Sequence, residues 1–285
     1  MMNKRRRYFY HLKFNTLNFF DSDEKLEKEV SKLNDRINIF CITSGRSGSG
    51  TMYRIWDSLQ GVDASHEPKP NFHKVMRSAQ KNPKWARDFL RWEKFPAMLR
   101  SHAKAYVETS HLFCKAFIEP ALEFGLRPSF ITLRRDPRAI AISHLMLRTI
   151  PGRTWGGQAF CLSPQDSVFL SVEDWEGLTD YQLCYWYALE IQKRQAVYEK
   201  ILPQKGLQNF SITTRELNDI DRVTEMVETL AGDAITPDTK RLSTVVGQLY
   251  NHRRGSGART PDIDFDREES ELERRLAATE KTLVL

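Results

Sequence analysis

The residues from Ile37 to Trp56 constrain this chain more than any other stretch. Ile37-Asn38-Ile39-Phe40-Cys41-Ile42-Thr43 is a short apolar run, largely β-branched, of the kind that forms a buried strand. Ser44-Gly45-Arg46-Ser47-Gly48-Ser49-Gly50-Thr51 follows, and Met52, Ile55, Trp56 and Leu59 then recur at helical spacing. Strand, glycine turn and helix in succession form a cradle for phosphate. Glycines let the backbone curl so that successive N–H groups point inward, and the positive end of the helix dipole adds to them. Gly45 and Gly50 have the separation of a Walker A loop, but Thr51 stands where that motif needs lysine. The only cation in the loop is Arg46. An ATP- or GTP-hydrolysing loop is therefore disfavoured, while phosphate binding is not.

At 285 residues, 40% apolar and 11% aromatic, the chain can bury a substantial single core. No run of about 18 apolar residues suits a membrane span. The basic start, Asn3 to Lys13, is followed by His11, Lys13, Asn15, Thr16 and Asn18, which break up the apolar segment of a signal peptide. A cytoplasmic enzyme is expected. Cys41, Cys114, Cys161 and Cys184 lack paired spacing, so they read as buried free thiols of a reducing compartment rather than zinc ligands or disulfides. The net charge of +6 is uneven. Residues 1–13 carry +5, residues 262–285 carry −4, and the body holds the remaining +5. A cationic body suits an anionic ligand. The basic arm could touch an anionic surface (nucleic acid, lipid or acidic glycan) or serve only as a solubilising tail.

Five strands alternate with helices. Strands are expected at Ile37–Thr43, 61–65, Ala105–Glu108, Ser129–Leu133 and Asn209–Thr213. Helices are expected at 21–34, across 71–100, near 111–124, at 139–147 and from about 179 to 201. That alternation implies an α/β fold of three layers, a central parallel sheet with helices on both faces. Trp85, Phe89 and Trp92 sit at core spacing in the 71–100 region. The segment 151–180, with scattered aromatics and no period, reads as a binding loop. The division expected is a basic arm and helix over 1–36, a main domain over 37–260 and a helical tail over 261–285. Ligands on such sheets bind beyond the carboxyl ends of the strands, and Gly45, Glu67, His111 and Arg135 all follow strands directly.

A second motif is Ser129-Phe130-Ile131-Thr132-Leu133-Arg134-Arg135-Asp136-Pro137-Arg138, running on to Ser143. Asp followed by Pro marks a helix start. It places Arg135 at a strand end and Ser143 two turns into the helix. Together the two motifs resemble the sulfotransferases that use PAPS (3′-phosphoadenosine 5′-phosphosulfate), of the bacterial and carbohydrate type. The resemblance covers about Ile37 to Thr213 and implies a nucleotide-kinase-like P-loop fold. It implies that Arg46, Ser47, Gly48, Ser49, Gly50 and Thr51 hold the 5′-phosphosulfate, and that Arg135 and Ser143 grip the 3′-phosphate. A guanidinium fork suits a phosphate dianion. This loop reads Ser-Gly-Ser-Gly-Thr where cytosolic members have Ser-Gly-Thr-Thr. Arg253 and Arg254, with Gly255 and Gly257, resemble the basic loop that closes over the 3′-phosphate.

By the same resemblance the reaction moves a sulfuryl group to a hydroxyl or amine of a small-molecule or glycan acceptor, with no metal required. Catalysis needs a base for the acceptor's proton, cations and N–H groups for the leaving phosphate, and a pocket that aligns the attack. Glu67, in Ser65-His66-Glu67-Pro68, follows the second strand where carbohydrate sulfotransferases place a glutamate. His111 lies near the position of the base in cytosolic members. Glu67 is the preferred base, and Glu108 is expected to be an inward strand carboxylate paired with a cation. Arg46 is expected to stabilise the transferring group. Trp155 and Trp175 could stack on sugar faces or simply pin their loop. The rival readings are a P-loop kinase or NTPase, and a non-catalytic protein that binds PAP (the sulfate-free product of PAPS) or a polyanion.

Overall fold

The structure, a computed structural model, describes Lys13 and residues 23–248 and 262–283. Five strands form one sheet: β1 (Ile37–Ile42), β2 (Val62–Ser65), β3 (Ala105–Glu108), β4 (Ser129–Arg134) and β5 (Asn209–Thr213). All pairs are parallel and the order is β2-β3-β1-β4-β5. The longer helices are α1 (Asp23–Asn34), α2 (Ser49–Asp57), α3 (Ile118–Glu123), α4 (Pro137–Met146), α5 (Asp180–Gln204), α6 (Ile220–Ala231) and α7 (Phe265–Leu283). The α/β class, the parallel sheet and the strand positions agree with the sequence reading to within a residue or so at each end.

Alternation along β1 generates the three layers. Phe40 and Ile42 face a core that takes in α1, residues 72–98 and Phe113. Ile39 and Cys41 face the opposite core, made with α2 and α6. Successive side chains of a strand point to opposite faces, so one buried strand serves both layers. Trp56 on α2 is fully buried; burying a side chain of that size stabilises the fold by about 3 kcal/mol. A third cluster joins α5 to α7 through Leu183, Tyr187 and Leu272.

Two expected helices are interrupted. The 71–100 region breaks into short turns, including a π-helical turn over Leu90–Lys94 that bulges the chain. That bulge accompanies the burial of the Lys94 ammonium, whose partners are the two carboxylate oxygens of Glu108 at 3.0 Å each. Tyr106 OH donates to the same carboxylate at 2.7 Å. Glu108 is thus the inward, cation-paired carboxylate expected. After β3, only a single 3-10 turn, Phe113–Lys115, precedes α3; the Cys114 and Lys115 carbonyls accept from Arg194 and Gln80 instead. Among the described residues no helix is long and apolar enough to cross a membrane. All four cysteines are buried and free.

Candidate active site

From β1 the chain crosses to β2 and returns to β3 on one side, then places β4 on the other side of β1. The crevice where that direction reverses lies beyond the ends of β1 and β4. Both motifs emerge there. The glycine loop turns through left-handed conformations at Gly45 (φ 75°), Arg46 (φ 58°) and Gly48 (φ 92°). Its shape is fixed from outside. Tyr187 OH on α5 donates to the Ser44 carbonyl at 2.5 Å, and Thr214 Oγ1 donates to the Ser47 carbonyl at 2.7 Å. The Thr43 and Ser47 hydroxyls bond to each other. Beyond the loop, α2 begins with no side chain capping its first turn. Its leading amides are left to bind an anion, where the helix dipole helps.

The second motif meets the first. Asp136 caps α4 by accepting from the Ala139 amide at 2.8 Å, and Pro137 occupies the first turn. Arg135 donates through Nη1 to the Arg46 carbonyl. Arg46 donates through Nε to Ser143 Oγ at 3.0 Å. Arg46, Arg135 and Ser143 therefore meet at this edge of the sheet, with two guanidinium groups and a hydroxyl beside the uncapped start of α2. This donor set fits a ligand with phosphate groups at two positions.

Glu67 and His111 are partners rather than competitors. His111 Nε2 lies 3.1 Å from Glu67 Oε1, and on its other side Lys115 Nζ lies 2.7 Å from His111 Nδ1. The row is held against the glycine loop, since a methyl group added at Gly45 would stand 3.1 Å from the His111 ring. Glu67 itself has φ 51°, a left-handed conformation that costs a non-glycine residue about 1–3 kcal/mol. Burial pushes the Glu67 carboxyl up, but the His111 hydrogen bond and the cations around it prevail and hold it down at about 2. Burial lowers the His111 imidazole to about 4, with the Lys115 ammonium adding to the effect and Glu67 opposing it. Lys115 is brought down by burial to about 8.

Lys115 was missed in the sequence although it had a signal. It lies four residues after His111, one helical turn away. Its other contacts are the Phe160 carbonyl, at 2.5 Å, and the face of the Tyr187 ring, 4.9 Å away. The Phe160 contact ties the site to the 151–180 segment, where Trp155–Phe160 forms a short helix. Thr154 caps that helix, and Arg77 donates to the Gln158 and Cys161 carbonyls at its far end. Trp155 is 69% exposed and makes an edge contact with Phe160 at 6.2 Å. The Phe160 ring in turn lies 6.4 Å from that of His111. A fixed row of rings thus leads from solvent to the Glu67–His111 pair, whereas Trp175 lies half-buried against the α5 cluster. Arg253 and Arg254 lie outside the described residues, as does the basic arm apart from Lys13. Among the described residues no cluster of three or more His, Cys, Asp or Glu is placed to hold a metal ion.

No protein-family model matches the chain, and no curated protein sequence matches it. Among solved structures it is similar to "Sulfotransferase Domain from the Curacin Biosynthetic Pathway", with 12% identity and a TM-score of 0.46. That match covers 75% of this chain and 78% of the other.

Proposed function

We propose that this protein is a sulfotransferase that uses PAPS as donor and an acceptor bearing a hydroxyl or amine, with a carbohydrate the leading acceptor class. The observation that carries the reading is the meeting of Arg46, Arg135 and Ser143 at one sheet edge, with the Glu67–His111 pair against the same glycine loop. When bound, PAPS supplies an activated sulfuryl group on a phosphate leaving group. The loop from Arg46 to Thr51 holds the 5′ end through its amides and hydroxyls, and Arg46 offsets the charge that grows on the leaving oxygen. Arg135 and Ser143 hold the 3′-phosphate. Thr51 in place of lysine weighs against the kinase reading.

Glu67 takes the proton of the acceptor. His111 occupies Oε1 and leaves Oε2 for the incoming hydroxyl, so the carboxylate is oriented before the acceptor arrives. The row from Trp155 to Phe160 supports an acceptor with a flat ring face, such as a sugar, laid along it.

Two measurements test the proposal. PAP should stabilise the protein against heat without Mg²⁺, and ATP should do so less with or without it. Transfer of labelled sulfate from PAPS should then appear on a panel of glycans and phenols. Glu67→Gln should keep PAP affinity and lose turnover roughly a hundredfold or more. Stabilisation by Mg²⁺–ATP but not PAP would replace the proposal with a kinase. Binding of PAP with no transfer to any acceptor would favour the non-catalytic reading.

A further inference from the structure

Lys115 is 0% exposed, and a buried ammonium is costly unless its donors are matched. Its two hydrogen bonds are those to His111 Nδ1 and the Phe160 carbonyl. An ammonium has donors and no acceptor. His111 Nδ1 must therefore be the bare, accepting nitrogen, and the imidazole proton must lie on Nε2. That nitrogen faces Glu67 Oε1 at 3.1 Å, so it donates to the carboxylate. One buried cation thus decides which way a neutral histidine points its proton.

We propose that Lys115 is a positioning residue that locks His111 in its Nε2–H form, making the imidazole a fixed hydrogen-bond donor to Glu67 and barring it from accepting the acceptor's proton. The catalytic consequence rests on the sulfuryl-transfer reading; the tautomer does not. The lock also explains the arrangement around it. Phe160 ends the short aromatic helix, so its carbonyl couples the position of Lys115, and through it His111, to the wall along which an acceptor would lie. Once Lys115 loses its proton the lock is released, because a neutral amine can accept from Nδ1–H as well as donate.

Other groups that bear on this row are accounted for. Glu67 and His66 face it from beyond β2, Cys114 is its neighbour in the chain, and Cys161 follows the aromatic helix. On α5, Tyr187 offers its ring face, and Arg194 is committed to Glu190 at 2.6 Å. On α4, His144 is buried, and burial, Lys115, His111 and Arg46 all favour its neutral form. Among these groups only Lys115 is within hydrogen-bond reach of His111 Nδ1.

The test is nitrogen NMR of histidine-labelled protein, first on the unaltered chain. His111 should show a bare Nδ1 and a protonated Nε2, unchanged from neutral pH down to about pH 5, where an ordinary histidine titrates near 6.5. In Lys115→Met, His111 should titrate at a higher pH than in the unaltered chain, still below that ordinary value because the ring stays buried. The pH profile of turnover should then gain an acidic limb there, with kcat roughly tenfold to a hundredfold lower and the KM for PAPS unchanged. Lys115→Arg should restore the flat profile in part. A proton on Nδ1 in the unaltered protein, or ordinary titration of His111, overturns the proposal whether or not Lys115→Met folds. If the tautomer is as stated but no acceptor is sulfated, the lock stands and the transfer reading falls.

Discussion

Arg46 Nε donates to Ser143 Oγ at 3.0 Å, joining side chains that lie 97 positions apart. One comes from the glycine loop after β1 and the other from α4 after β4. The arginine thus rests on a hydroxyl expected to bind the same nucleotide. A ligand with two phosphate groups would displace that contact and replace it with stronger, charge-assisted ones.

Arg135 is the sharper probe of this site, because Arg46, the other guanidinium here, is assigned to the 5′ end of the donor. Arg135→Met should weaken PAP binding roughly tenfold to a hundredfold, the worth of about 1.5–3 kcal/mol for hydrogen bonds to a charged group. Adenosine 5′-phosphosulfate, which lacks the 3′-phosphate, should bind the variant and the parent alike. Calorimetric titration of both ligands against both proteins checks this.

Gly45 combines a left-handed backbone with contact to the His111 ring. Gly45→Ala should therefore cost stability twice, once through φ and once by pushing the ring off Glu67, for about 1–2 kcal/mol in all. With His111→Ala already in place, only the backbone share should remain. Chemical denaturation of the two single variants and the double variant separates these shares.

Acid should destabilise the fold before its exposed carboxylates titrate. His111 falls from 6.5 to about 4 on folding, and His144 lies well below its ordinary value for the same reason, burial. Between those limits the unfolded chain binds protons that the folded chain refuses, so stability drops as pH falls below about 6.5. At about 1.4 kcal/mol per pH unit, the His111 share amounts to about 3 kcal/mol by pH 4. Melting curves from pH 7.5 to 5 should show the loss, and His111→Gln should flatten the slope.

Lys94 and Glu108 form a pair closed to solvent, 1% and 0% exposed. Lys94→Met leaves the carboxylate buried without its cation and should cost about 3–5 kcal/mol. Adding Glu108→Leu should recover much of that loss, because replacing both charges with apolar groups removes the need to desolvate them. Urea unfolding of the single and double variants would show whether recovery occurs.

The frame of this protein was legible because its signals are local. A β-branched run, a glycine turn and Asp136-Pro137 each determine their own few residues, and strand positions follow. The meeting of Arg46 with Ser143 was also within reach, since both motifs end on one sheet edge. Three features were not legible. Tyr187 and Thr214 hold the loop through contacts made only in the folded chain. The π-helical turn at Leu90–Lys94 answers to the burial of one ammonium, which leaves no periodic trace. Glu67 and His111, weighed in the sequence as alternative bases, are joined in space by a hydrogen bond that their spacing does not encode.

Gln195, in the middle of α5, gives one side-chain nitrogen to two backbone oxygens, those of Ile42 and Leu133, at 3.0 and 2.9 Å. These oxygens lie at the ends of neighbouring strands, just before the two loops that bear the arginines. A single carboxamide therefore works as a caliper, setting how far apart the two jaws can stand. Any ligand that spans them is measured against a gap fixed from beneath, by a helix it need not touch.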